Sequence, residues 1–307
     1  MRAAIITERN APPMVGEFRE PEPQDGAVLI EVDTAGLGGW DVLGAYRLGV
    51  EYPCVIRGEG VGRAEDGRRV YFGERSLLPF GAWAERTVVP KAEVWDVPDD
   101  VDDKTAISMG IAATGALIPL ETTEIQKGEK VLVLGATGSL GQIGLQLARR
   151  MGAGLVVGAA RSAESLAKLE ARGIADKVVT LGGADDVAAL KDVSDGGFDV
   201  VLDLVCGQPM LNALKATKWG ARIVTVGTGA GRKLDLDIAD LLFRRLSCIG
   251  TGQRPPADRE QIWRRLLQMD REERINIEYA DYSLDKAPEA WASQVAGAHA
   301  KITARIR

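Results

Sequence analysis

Residues 134–144 read LGATGSLGQIG, with the pattern Ala136-x-Gly138-x-x-Gly141. The stretch follows the apolar run KVLVL and opens SLGQIGLQLARRMG, whose apolar residues recur at helical spacing. A strand, a glycine turn and a helix in that order present backbone N–H groups, at the positive end of the helix, to a phosphate. Gly138 lets the backbone approach a pyrophosphate and Gly141 lets the helix pack closely on the strand, while Ala136 stands where a first glycine is usual. Ala136, Thr137, Gly138, Ser139, Leu140 and Gly141 are therefore the predicted cradle of a dinucleotide. Roughly twenty residues on, a carboxylate would hold a ribose 2′-hydroxyl. The second apolar run ends there in Ala160-Arg161-Ser162, with no acid. A guanidinium beside a hydroxyl suits a 2′-phosphate, because Arg pairs with phosphate bidentately. The expected cofactor is NADPH.

These residues need a rigid frame. From residue 130 the chain alternates apolar strands with amphipathic helices: KVLVL, GLVVGAA, KVVTL, FDVVLDLV, ARIVTVG and LSCIGTG are strands, and DIADLLFRRL is read as the last helix. Strands apolar on both faces, alternating with helices, predict a doubly wound parallel sheet of about six strands. Ligands bind over the carboxyl ends of such strands, so backbone contacts to the cofactor are expected at Val205, at Gly227 and Thr228, and at Gly250 and Thr251. The first third is β-rich, with strands at 27–34, 69–72 and 83–89 and one helix over 104–120. After Pro255-Pro256 come a helix over 259–269, the strand IEYADYSL, a helix over 287–295 and the strand KITARI, which return to the first sheet.

The chain has 307 residues, 46% hydrophobic and 27% charged, with net charge −6. That suits two full-sized domains and argues against nucleic acid or an anionic membrane as partner. The single histidine, His299, excludes histidine-rich zinc sites and disfavours a Ser-His-Asp or Cys-His nucleophile. Cys54, Cys206 and Cys248 are scattered without CxxC spacing and each reads as a small buried hydrophobe of a reducing, cytoplasmic protein. The amino terminus has no secretory h-region, and no apolar run approaches the ~20 residues that span a bilayer.

With the glycine loop, the segments MRAAIITE, EVDTAGLGGWD, GEGVG, GRRVYF, GAWAERTVV and AHAKITARI occur in an order that resembles the medium-chain dehydrogenase/reductase superfamily. The resemblance is strongest to its zinc-independent quinone oxidoreductase and enoyl reductase branch and spans nearly the whole chain. It implies a Rossmann nucleotide-binding domain over 117–256 and a β-rich, partly barrel-like GroES-like catalytic domain from 1–116 and 257–307. Where zinc-dependent members carry Cys and His, this chain has Gly38 and Gly58, and the four-cysteine structural loop is missing. Neither zinc can be built in the family's way, so no metal is expected.

The resemblance also assigns candidate site residues. Thr114 matches a threonine beside the nicotinamide and phosphates. Trp40 and Asp41 fall in the substrate-side loop, Asp41 reading equally as a helix N-cap. Tyr46 and Tyr52 both match the family's substrate-side tyrosine, Tyr46 being favoured as proton donor. Glu59 is a remnant of the zinc-type motif that pairs with Arg57 or orders its loop, and Lys301, which matches the lysine of the closing Gly-Lys motif, is assigned to cofactor binding. The implied function is hydride transfer from NADPH to a quinone or an activated C=C bond of a small electrophile. A zinc-free carbonyl reductase or alcohol dehydrogenase, and a non-catalytic NADPH-binding scaffold or sensor, are the alternatives. The Tyr282-x-x-x-Lys286 pair lies beyond the nucleotide domain and reads as a strand end entering a helix. The apolar LSCIGTG strand closes the sheet, and an uncovered edge of that kind predicts a homodimer. With His299 remote from the site, the rate is expected to be flat from about pH 6 to 8.

Overall fold

The computed structural model describes residues 1–43 and 50–307. The chain forms two compact units, Met1–Ile111 with Arg254–Arg274 and Glu278–Arg307, and Ala112–Gln253 with Ile275–Ile277.

In chain order the first unit begins with β1 (Arg2–Ile6), β2 (Met14–Glu17), β3 (Ala27–Leu37), α1 (Gly39–Leu43), β4 (Cys54–Val55), β5 (Glu59–Ala64), β6 (Arg69–Phe72), β7 (Arg86–Pro90), β8 (Val94–Asp96) and α2 (Asp103–Ser108). The chain continues through α3 (Ile111–Thr123), β9 (Lys130–Leu134), α4 (Ser139–Arg150), β10 (Leu155–Ala160), α5 (Ala163–Ala171), β11 (Lys177–Thr180), α6 (Asp186–Ser194), β12 (Phe198–Asp203), α7 (Gly207–Lys215), β13 (Thr217–Thr225) and β14 (Arg245–Cys248). It ends with α8 (Pro256–Glu272), β15 (Tyr279–Ser283), α9 (Ala287–Ala296) and β16 (Lys301–Arg305).

The first unit carries the GroES-like fold. One sheet has the order β15-β16-β3-β5-β6-β8, with β7 also on β3, and a three-stranded sheet has the order β2-β1-β4. β3 runs three residues beyond the predicted 27–34 because β16 and β5 both pair with its far end, through Leu37 and Gly36 respectively. Its alternating burial sets Ile30, Val32 and Ala35 into a core with Ile6, Phe72, Trp83 and Ile302.

The single helix expected over 104–120 is two helices. The two meet at Gly110, where a Cβ would lie 2.6 Å from Cζ of buried Tyr71, so only glycine fits. The Ile111 N–H, an orphan donor at the start of α3, is taken up by Glu59 Oε2 at 3.0 Å.

The second unit is the Rossmann domain, a six-stranded parallel sheet in the order β11-β10-β9-β12-β13-β14. Residues 131–134 of β9 and 200–203 of β12 are fully buried, as central parallel strands must be. The helix predicted for DIADLLFRRL is only a 3₁₀ turn, Ile238–Leu241. Arg244 ends it: the guanidinium donates to the Asp240 carbonyl, to the Thr217 hydroxyl at 2.7 Å and to the Thr217 carbonyl, and β14 starts at the next residue. Cys54 and Cys206 are buried, whereas Cys248 is exposed, because β14 is an edge strand with a neighbour on one side only.

Candidate active site

In the second unit the predicted cradle is built at the carboxyl end of the sheet. Gly138 is the N-cap residue of α4, and no side chain caps that helix. The N–H groups of its first turn stay directed at whatever lies beyond it. A Cβ at Gly141 would stand 2.7 Å from the Ala136 Cα, so only glycine lets α4 start this close to the strand. Ala136 and Thr137 are buried and Gln142 Nε2 donates to the Thr137 carbonyl at 2.8 Å, which fixes the loop. Ser139 and Leu140 form the first helical turn. Thr114 is half-buried on α3. The neighbouring Gly115 faces Leu140, where a Cβ would come within 2.8 Å of the Leu140 side chain. α3 is thereby packed against Leu140 one residue from Thr114.

Two further turns flank the cradle. The Asp203 carboxylate, fully buried at the end of β12, accepts from the N–H of Val205 at 3.0 Å, the N–H of Cys206 at 2.8 Å and the Thr225 hydroxyl at 2.9 Å. Burial pushes its carboxyl above the ordinary value against those three donors. One side chain so holds Val205 and the end of β13 together, with Gly227 and exposed Thr228 just beyond. Gly250 and Thr251 follow β14. At the end of β10, Ala160 is buried and Arg161 is exposed. Ser162 is the N-cap of α5: its hydroxyl accepts from Ser165 N–H at 3.2 Å and donates to Ser165 Oγ. An unsatisfied helix start, a glycine packed on the strand and an arginine without a neighbouring acid fit a phosphorylated dinucleotide.

In the first unit a compact set of ionisable groups surrounds Gly58. Asp41, 4% exposed, reaches back from α1 to the N–H of Gly38 at 2.9 Å with one oxygen and to the N–H of Gly58 at 3.1 Å with the other. Burial raises its carboxyl above the ordinary range, opposed by those two N–H groups and by the Lys301 charge. It ties together the two glycines that replace the family's zinc-binding Cys and His. Beside it, Glu59 Oε1 lies 2.7 Å from the Lys301 ammonium, and both side chains are 2% exposed. Lys301 also donates to the Leu37 carbonyl at 3.3 Å. Glu59 Oε2 accepts from the Tyr71 hydroxyl at 2.7 Å as well as from Ile111 N–H. Tyr71 stacks on Trp263 with ring centroids 5.1 Å apart, and burial, followed by the Glu59 charge, drives its phenol well above the usual value. Glu59 thus has Lys301 as an ionic partner and holds the Ile111 N–H at the start of α3.

Trp40 is 48% exposed on α1, and Tyr52 is half-buried against the sheet core. Tyr46 lies outside the described residues. Two residues of this set carry no local signal in the sequence. Tyr71 sits in a strand that reads as ordinary core. Glu74, two residues beyond β6, has Oε2 buried with no hydrogen-bond partner, and its main-chain carbonyl accepts from Arg57 Nη2 at 2.7 Å. Burial first, then the Asp41 charge, push its carboxyl up to about 7. Among the described residues no group of three or more His, Cys, Asp or Glu could hold a metal ion. No described helix is long and apolar enough to cross a membrane.

Comparison with known proteins agrees with this architecture. The family model described as zinc-binding dehydrogenase matches residues 139–268, a stretch with two cysteines and no histidine. Quinone oxidoreductase-like protein 2 of Bos taurus is 28% identical over 263 residues, covering 81% of this chain and 74% of that protein. The Escherichia coli quinone oxidoreductase complexed with NADPH superposes with a TM-score of 0.87 at 18% identity, over 99% of both chains. A mycobacterial protein complexed with NADPH superposes with a TM-score of 0.88 at 22% identity, over 100% of both chains. By these likenesses the chain resembles the medium-chain dehydrogenase/reductase superfamily, on its quinone oxidoreductase-like branch.

Proposed function

We propose that the protein is an NADPH-dependent oxidoreductase that delivers hydride, without zinc, to a quinone or to an activated C=C bond of a small molecule. The observation that carries this reading is the pairing of an uncapped, glycine-backed helix start with the acid-free Ala160-Arg161-Ser162 end of β10. In this reading residues 117–256 bind the cofactor, and residues 1–116 with 257–307 take the substrate. When bound, the reduced nicotinamide supplies the hydride. The first-turn N–H groups of α4 bind the pyrophosphate. Arg161 pairs with the 2′-phosphate, while Ser162 serves it only through the N-cap that orients α5. Backbone at Val205, Gly227, Thr228, Gly250 and Thr251 orients the nucleotide, as does Thr114. Trp40 and Tyr52 wall the substrate, and Asp41 fixes the Gly38 and Gly58 turns that support it.

The protein works as a homodimer. Supporting this, β14 is an unpaired edge, and next to it Trp219 (77% exposed) stacks on Phe243 at 4.9 Å, with Ile238 and Leu242 also exposed. Three cysteines without a disulfide suit a reducing cytoplasm. The test is a panel of quinones, enones, enoyl thioesters and ketones, followed through the absorbance of the reduced nicotinamide with NADPH and with NADH. Oxidation of NADPH by quinones or enones supports the reading. Turnover of ketones alone, or of nothing, overturns it.

A further inference from the structure

Reduction of an enone or a quinone by hydride leaves an anion that needs a proton, and the described residues of the first unit include a carboxyl group whose chemistry suits that need. Among the described residues of the cluster around Gly58, Asp41, Glu59 and Tyr71 are all engaged. Both Asp41 oxygens accept backbone N–H groups. Both Glu59 oxygens are engaged, by Lys301 and by Tyr71 with Ile111 N–H. The Tyr71 proton is committed to Glu59. Of the three carboxyl groups Asp41, Glu59 and Glu74, it is Glu74 that has a buried oxygen with no hydrogen-bond partner, on a side chain that is only partly covered. A buried, unpaired carboxylate oxygen is costly as an anion and cheap as an acid.

We propose that Glu74 is a catalytic acid, a neutral carboxyl that protonates the anion left by hydride transfer. The inference rests on the reductase reading above. In the enone case hydride from a reduced nicotinamide dinucleotide bonds to the β-carbon, and the C=C pair moves to make an enolate. The Glu74 O–H bond then breaks, its proton bonds to the enolate, and the carboxylate left behind is reprotonated by water. In the quinone case the same proton goes to the hydroquinone oxyanion. The groups facing Glu74 are Asp41 from α1, Glu59 from β5, Tyr71 from β6, Arg57 from the turn before β5 and its neighbour Arg75. The carboxylates raise its affinity for the proton and the two arginines lower it. The outcome, a titration at about 7, gives the site an ionisation near neutrality. The flat profile expected from the sequence is therefore replaced by a fall in rate as pH rises through 7.

The experiment compares wild type, Glu74→Gln and Glu74→Asp. First, the infrared difference spectrum of wild type minus Glu74→Gln is followed with pH, without cofactor. A protonated-carboxyl band that titrates away near neutral pH is expected. A Glu74 that is already ionised at pH 6 overturns the proposal whatever the activity. Second, single-turnover reduction of cyclohexenone and of menadione by NADPH is measured. Glu74→Gln is expected to slow the step by about a hundredfold and to abolish its alkaline decline, with Glu74→Asp keeping the decline. Reduction by Glu74→Gln at the wild-type rate and with the wild-type pH profile overturns the acid role alone. Wild type that reduces neither probe overturns the reductase reading and the acid role with it.

Discussion

The Lys301 ammonium and the Glu59 carboxylate face each other at 2.7 Å, both 2% exposed, although 242 residues separate them in the chain. Removing one partner of such a pair leaves an uncompensated buried charge. Lys301→Met should therefore destabilise the protein by about 3–5 kcal/mol, measured by urea unfolding. The double variant Lys301→Met/Glu59→Gln should recover part of that loss. A loss below ~1 kcal/mol in the single variant would show that water reaches the pair.

Glu74 should leave a mark on stability as well as on rate. Its folded value of about 7 lies above the ordinary 4.5. The folded state therefore binds the proton more tightly, so its contribution is complete below pH 4.5 and is lost as pH rises through 7. The Glu74→Gln variant, which cannot ionise, should gain on wild type between pH 5 and pH 8 by on the order of 2 kcal/mol, given partial solvent screening. Parallel chemical denaturation at the two pH values checks the difference.

Arg161→Ala should weaken NADPH binding while leaving NADH nearly unchanged. Losing one charge-assisted phosphate contact corresponds to about 1.5–3 kcal/mol, or roughly ten- to a hundredfold in Kd. Fluorescence titration of both nucleotides measures it. Equal wild-type affinity for the two would remove the basis for the assignment.

The exposed Trp219–Phe243 stack beside β14 should lie at a twofold contact. Wild type should scatter light as twice 32.8 kDa, and Phe243→Asp should shift it toward the monomer. A wild-type mass of 32.8 kDa across micromolar concentrations would reject the dimer.

Gly38 and Gly58 offer no donor where a zinc site would need one, so chelators should not change the rate. Elemental analysis should find well under one zinc per chain. Stoichiometric zinc that is required for turnover would contradict this.

The parts of this molecule legible in the sequence are those encoded by neighbours along the chain. The β9–α4 turn, the alternation that builds the Rossmann sheet and the strand at 69–72 follow from spacing and hydrophobic period alone. The rest depends on contacts between distant residues. The need for glycine at 110, between α2 and α3, is set by Tyr71, thirty-nine positions earlier. The helix read into DIADLLFRRL gives way because Arg244 is drawn to Thr217 and β14 claims the next residues for the sheet. Ser162 was legible as a polar group at the right place, but the turn takes its hydroxyl for a cap. Glu74 looks like any loop acid until α1 and the Gly58 turn surround it.

The chain order of the two units has a consequence for biosynthesis. Residues 112–253 are contiguous, whereas the first unit needs β15 and β16 from the far end of the chain to flank β3. On a ribosome the amino-terminal strands emerge first and must wait for the 194 residues after Ile111 up to Arg305, the end of β16. At about 5–20 residues per second that delay is roughly 10–40 s. During it the edge of β3 that β16 will cover, and the Glu59 carboxylate that Lys301 will neutralise, stay open to solvent and to other chains. The nascent amino-terminal segment is where a chaperone has the longest opportunity to act.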